Sequence, residues 1–388
     1  MRRRWLQEAM REASLDAILA TLPEDVLLLT GYFPVVGTAV AVATREGAVF
    51  LLAPNDELDL AQASGADQVT GFEPGSLDSL TTAAAGIREP LRQVIREAGI
   101  ASAAVGWRRG EALEPASYVS VHLYGDAIAG LFGDELRDAT ELFARTKSIL
   151  TPTELERVRK ACRIAGAAFE SGRDWLVKGL RETEAAVYFR NPLFVHGTGF
   201  EGVQRADGAA FCMSGPNSSK AYGAYARSRS RSIASGDLVL THCNSHADGY
   251  WTDITRTYCM GNPEDRQRRM YEAVFEARKA AILAIRPGIA AREVDRAARE
   301  VMRSHGFEKE FKHATGHGLG FCAIDHNGQP RLHPRSEDII RAGMVFNVEP
   351  AAYVEGFGGI RHCDMIAVTA SGAELLTDFH SELSELIK

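Results

Sequence analysis

No cysteine precedes Cys162 in this chain of 388 residues, and the six present (Cys162, Cys212, Cys243, Cys259, Cys322 and Cys363) form no Cys-x-x-Cys pair. Such usage is not that of a disulfide framework and suits thiols in a reducing compartment. Long apolar runs are missing too. No stretch approaches the ~20 residues of a membrane span. The basic start Met1-Arg2-Arg3-Arg4 is followed by Gln7, Glu8, Arg11 and Glu12, too charged for the apolar core of a signal peptide. Positive charge is not in excess: 44 Lys and Arg stand against 51 Asp and Glu, a net charge of -7. A general attraction to nucleic acid or to an anionic membrane is therefore not expected. These absences lead to the expectation of a cytoplasmic protein with neither kind of partner.

What is present is the composition of a globular chain, 45% hydrophobic and 24% charged. Its length suits two domains. The first part alternates helix and strand signals, which makes it α/β. A helix is expected around Arg4–Ala13, and strands at Ala17–Ala20, Ala39–Ala43 and Gly47–Leu52. A longer helix is expected over Leu80–Ala98. At Thr151-Pro152-Thr153-Glu154 a hydroxyl N-cap, a proline and a glutamate three residues on spell a capping box, so a new domain opens there with a helix. The expected division is 1–145 and 146–388. In the second domain strands are expected at Asp237–Leu240, Thr252–Cys259, Ala342–Val348 and Met365–Thr369, and helices at Met270–Ile285 and Ala291–His305. The run Arg227–Ser232 alternates arginine and serine and reads as a solvated loop.

Four segments carry chemistry-bearing residues. They are Gly236–His242 with Gly249–Thr257; His313-Ala314-Thr315-Gly316-His317-Gly318-Leu319-Gly320; Met344-Val345-Phe346-Asn347-Val348-Glu349-Pro350; and Gly359-Ile360-Arg361-His362-Cys363-Asp364. Singly, each could be structural; their order and spacing are much more specific. On these motifs the chain resembles the pita-bread family, which includes aminopeptidase P, prolidase, methionine aminopeptidase and creatinase. The resemblance covers nearly the whole chain, with Thr30-Gly31-Tyr32 leading into a strand as in the creatinase/prolidase N-terminal domain. It implies that domain followed by a C-terminal pita-bread catalytic domain.

In the metallopeptidases of that family five side chains hold two metal ions: two aspartates, a histidine, a glutamate before proline, and a last glutamate. Carried over, the resemblance implies metal ligation by Asp253, His317 and Glu349. At the first aspartate position, eleven residues before Asp253, stands His242, and at the last glutamate position stands Cys363. Both are competent ligands softer than carboxylate. The implied cofactor is a divalent metal ion, one or two per chain, with zinc or iron favoured and manganese or cobalt possible. Such an ion lowers the pKa of a bound water and polarises a carbonyl.

The resemblance also implies catalytic roles for Glu349, which would take the water's proton, and for His313 and His326, which match histidines near the substrate. Tyr222 stands where many members, creatinase included, place a histidine, which counts against a creatinase mechanism. Arg256 and Arg361 read as braces for the ligand strands. Cys243 and His362, next to ligand positions on strands, face the other way and read as structural. The implied activity is hydrolysis of an amide C–N bond in a peptide, in the manner of an Xaa-Pro aminopeptidase or dipeptidase. Two alternatives are weighed against it. One is a creatinase-like hydrolase or lyase on a small non-peptide molecule, with Cys363 or His242 acting directly. The other is a non-catalytic binding module. A homodimer is a further implication of the resemblance.

Overall fold

The computed structural model describes residues 1–75, 77–78, 80, 82–108, 130–132, 136–222, 227–323 and 328–388, which divide into the units Met1–Lys147 and Ser148–Lys388. In the first unit, α1 (Arg2–Glu12) precedes β1 (Ala17–Ala20), every residue of which is buried. Next come α2 (Pro23–Thr30), β2 (Val40–Thr44), β3 (Val49–Pro54), α3 (Leu58–Gln62), β4 (Gln68–Phe72), α4 (Ala83–Glu97), β5 (Val105–Trp107), β6 (Leu136–Asp138) and α5 (Thr140–Lys147). The strands form one sheet of order β4-β3-β2-β1-β5-β6, with β1–β2 and β2–β3 antiparallel and the other pairs parallel. Helix α4 turns Ile87, Leu91, Val94 and Ile95 onto a core with Leu19, Val42, Leu52 and Trp107.

Thr30-Gly31-Tyr32 departs from its expectation. It closes α2, with Gly31 as the left-handed cap at φ 77, and the next strand begins only at Val40. Local signals decide this: Pro23 and the acidic Glu24 and Asp25 start the helix, and glycine at the end supplies a conformation that a Cβ disfavours.

The second unit opens as its capping box demands. The Thr151 hydroxyl accepts from Glu154 N, and the Glu154 carboxylate accepts from Thr151 N at 2.7 Å, at the head of α6 (Pro152–Trp175). After α7 (Glu182–Gly197) an antiparallel sheet runs β7 (Ala206–Ser214), β8 (Leu238–Ala247) and β9 (Tyr250–Cys259). Asp248 and Gly249, both at positive φ, make the two-residue turn between the last two. Helices α8 (Asp265–Ala284) and α9 (Ala291–Ser304) follow. The chain ends in β10 (Val345–Val348), β11 (Ala351–Val354), β12 (Gly358–Arg361), β13 (Asp364–Thr369) and β14 (Gly372–Leu375). Strands β10, β13 and β14 form one sheet, and β11 and β12 a hairpin.

A bridge between Thr255 and Cys363 sews β9 to the head of β13, and another joins Gly318 to Phe346 of β10. Those two seams bring the motif segments together. Among the described residues no helix is long and apolar enough to cross a membrane.

Candidate metal centre

Asp253, Glu349 and Cys363 meet at the seams. Each offers a ligand atom, and these atoms all lie within 4.8 Å of one another. Asp253 comes from β9. Glu349 follows β10, and continuing the β10–β13 register one step past Val348↔Asp364 sets it opposite Cys363. The thiol donates to the Asp253 backbone carbonyl at 3.1 Å and stands 3.4 Å from its Oδ1. Cys363 is wholly buried, Asp253 3% exposed and Glu349 8% exposed.

His317 and His242 flank this trio on the two oxygens of Asp253. His317 Nε2 is 3.6 Å from Oδ2, and its Nδ1–H donates to Gly318 O at 3.2 Å, which leaves Nε2 facing inward. His242 Nδ1 is 3.5 Å from Oδ1 and 3.0 Å from the Thr255 hydroxyl. That hydroxyl accepts from Arg361 Nε at 3.0 Å, so its own proton is available to His242. Phe211 stacks on the His242 ring at 6.2 Å.

Charge in this pocket is unevenly held. Burial pushes Asp253 up, but the imidazoles of His242 and His317 and the Arg361 cation pull it well below the usual carboxylate range. Glu349 goes the other way: burial outweighs Arg361 and lifts it to about 7. Burial lowers His317 while its bond to Asp253 and the charge of Glu349 raise it, with a net value of about 9. Burial and Arg361 depress His242 to about 4, so its imidazole is neutral. Burial and the charge of Asp253 push the Cys363 thiol well up. Two carboxyls and a thiol in one desolvated space thus stay protonated or lean on imidazolium for compensation, and a divalent cation would supply that charge directly. The donor set fits such an ion.

The second layer was only partly foreseen. Arg256, fully buried, donates to Cys363 O and Thr255 O and pairs with Asp364 at 2.8 Å, so it is the brace expected of it. Arg361 reaches Glu349 Oε2 at 3.7 Å as well as Thr255, and its Nη2 has no partner among the described residues. His362 packs edge-on against Phe275, and Cys243 is buried.

His313 is neutral. Its Nδ1–H donates to Ala314 O at 2.8 Å, its Nε2 accepts from the Tyr353 hydroxyl at 3.0 Å, and burial with Arg361 lowers it to about 3. In this state it takes a proton's attention from Tyr353 and offers none from Nε2. His326 lies outside the described residues. The Arg227–Ser232 loop is tied down more than expected, by Arg231 to Asp237 and by Arg229 N to Glu182.

Sequence reasoning missed three residues here. Asp295 on α9 accepts from Thr315 N and Oγ1, and its neighbour Arg299 donates to His313 O, which fixes the loop carrying both histidines. Asn347 contacts His317 and Cys363 at once. A helical pair Asp295/Arg299 at i,i+4 was visible as a pattern, but nothing in it says what loop it holds.

Known proteins resemble this chain along most of its length. Residues 156–370 match the family model "Metallopeptidase family M24", and residues 2–149 match "Creatinase/Prolidase N-terminal domain". An Xaa-Pro dipeptidase of Pyrococcus furiosus is 32% identical over 249 residues, 64% of this chain and 68% of that one. An Xaa-Pro dipeptidase of Pyrococcus horikoshii is 28% identical over 97% of this chain and 96% of its own. The solved structure of an Xaa-Pro dipeptidase from Bacillus anthracis superposes with a TM-score of 0.80 at 25% identity, covering 100% of this chain and 99% of that one. The chain therefore belongs to metallopeptidase family M24, a metal-dependent hydrolase with a creatinase/prolidase N-terminal domain ahead of its catalytic unit.

Proposed function

We propose that this chain is an Xaa-Pro dipeptidase or aminopeptidase whose metal centre uses Asp253, Glu349 and Cys363, with His317 and His242 completing the ligand set. The observation that carries it is the buried convergence of one thiol and two carboxyls within 4.8 Å. Thiolate and imidazole donors favour zinc or iron(II) over manganese, with cobalt a possible occupant. A divalent ion bound there supplies Lewis-acid polarisation of the scissile carbonyl and acidifies a water. Glu349, a buried carboxylate beside the Arg361 cation, is suited to accept the water's proton. Arg361, 3.7 Å from Glu349 Oε2, supports negative charge on that carboxylate. Direct nucleophilic use of Cys363 is disfavoured, because a thiol wholly buried and pushed up in pKa is little ionised. The same reading has the enzyme act as a homodimer in the cytoplasm. Cys162, Cys212, Cys243, Cys259 and Cys363 carry no disulfide, which supports the second point.

Elemental analysis of protein purified without added metal, beside Cys363→Ser, tests the reading together with hydrolysis of Xaa-Pro and Xaa-Ala dipeptides. One or two ions per chain, weakened in the variant, with proline-selective cleavage is expected. No bound metal after incubation with zinc, iron(II), manganese and cobalt would sink it.

A further inference from the structure

Cys363 presents one ligating atom where a carboxylate would present two, and a side-chain amide stands against its sulfur. Asn347 occupies that position. It lies on β10 opposite Met365 of β13, is wholly buried, and shares its strand face with Glu349 two residues on. Its carboxamide has one defined orientation. Oδ1 accepts from the His317 backbone N–H at 2.7 Å, so the amide nitrogen faces the centre. From there Nδ2 lies 3.6 Å from Cys363 Sγ and 3.3 Å from His317 Nε2. An amide has two N–H groups, and one is aimed at the sulfur. Nε2 accepts from the amide only while it carries a lone pair, and neither an imidazolium nor a metal-bound imidazole offers one, so the bond to sulfur is the one that remains.

The bed under this amide is built tightly. A Cβ on Gly316 would stand 2.9 Å from Asn347 Oδ1 and far closer to Asn347 O, so the turn before His317 is moulded to the asparagine. Asp295 holds the same loop from the other side through Thr315.

We propose that Asn347 is the positioning residue that makes Cys363 a thiolate ligand: one carboxamide donates to the sulfur, fixes the His317 backbone, and so sets the spacing of the two soft ligands. The proposal rests on the metal-centre reading above. An N–H donor on a metal thiolate withdraws charge from sulfur and holds its lone pairs in place. Loss of such an outer partner costs metal affinity about 10–100-fold.

The test is cobalt(II) titration of metal-free protein, read as affinity and as the near-ultraviolet sulfur-to-cobalt charge-transfer band. Wild type, Asn347→Asp, Asn347→Thr, Cys363→Ser and the double variant Cys363→Ser/Asn347→Thr are compared, with the unfolding midpoint of each metal-free protein. Wild type is expected to show the band and Cys363→Ser to lack it. Asn347→Thr should shift the band and lose about 10–100-fold in affinity, and Asn347→Asp, which exchanges the donor for a carboxylate, should shift the band. In the Cys363→Ser background Asn347→Thr should cost much less, because the partner it served is gone. A packing role alone lowers the midpoint and leaves band energy and coupling untouched, which overturns the proposal. So does cobalt binding by wild type without a sulfur band, although that leaves a carboxylate-based metal centre standing. If wild type takes up no cobalt and no other divalent ion, the metal-centre reading itself has failed.

Discussion

Exchange of Asp364 for asparagine removes the carboxylate bonded to the buried Arg256. In the native unit that guanidinium donates to Asp364 Oδ1, Thr377 O and Cys363 O at 2.8 Å, to Phe379 O at 2.9 Å and to Thr255 O at 3.0 Å. Arg278 and His362 lean on the other carboxylate oxygen. Deleting one partner of a buried pair costs about 3–5 kcal/mol, because the remaining charge stays desolvated without compensation. At about 2–4 °C per kcal/mol for a unit of this size, the unfolding midpoint should fall by about 6–20 °C. The pH dependence has a definite sign. Burial raises Asp364, but Arg256, His362 and Arg278 hold it well below the usual carboxylate range. Its stabilisation is therefore complete above the unfolded value near ~4 and is lost as pH falls through the lower native value. Scanning calorimetry of wild type and Asp364→Asn should give a constant gap between about pH 5 and 8 that closes only in strong acid. Because Arg256 also holds Cys363 O, bound metal should fall in parallel. A midpoint within about 2 °C of wild type at neutral pH, or a gap that closes between about pH 7 and 5, would refute the reasoning.

Gly316→Ala places a Cβ 1.9 Å from Asn347 O, a backbone clash that no rotamer relieves; a loss above about 3 kcal/mol in denaturant unfolding, with weakened metal binding, is expected. His246, its ring 4.7 Å from Trp251, is depressed to about 4 by burial and then by Arg205. As pH falls from the unfolded value of about 6.5 the unfolded chain takes up a proton that the native one refuses, so stability declines. His246→Gln should show a shallower decline, by up to one proton in the pH slope, and an equal slope would contradict the assignment. Arg361→Met withdraws the cation that lowers Glu349, so the Glu349 carboxyl should hold its proton to higher pH. Metal affinity by competition titration should then drop more at about pH 6.5 than at about pH 8.5; an equal loss at both would count against it.

Local chemistry was readable in advance, and long-range chemistry was not. The Thr151/Glu154 box announced α6 because both partners of the cap lie in one turn. Short apolar runs likewise announced β1 to β3, whereas β8 runs on to Ala247 past the expected strand because His242, Asn244 and His246 alternate toward the site face and look polar in sequence. Asp253, His317 and Glu349 could be picked out by their order and motifs. What they touch could not. The bonds from Cys363 to Asp253 and from Arg361 to Thr255 span more than a hundred residues and exist only through the Thr255↔Cys363 seam. Asn347 read as an ordinary strand residue for the same reason: its role is set by the register of β10 on β13 and by a turn moulded to it.

The span between the candidate ligands has a consequence for the lifetime of the chain. Asp253 and Cys363 stand 110 residues apart, so an ion shared by them is a reversible crosslink closing a loop of that length. Occupancy at a hundred times the dissociation constant adds about 2.7 kcal/mol to stability, roughly a hundredfold fewer openings through which a protease can cut. Metal supply would thus set how fast the protein is degraded as well as how fast it works, and starved chains would be the ones removed first.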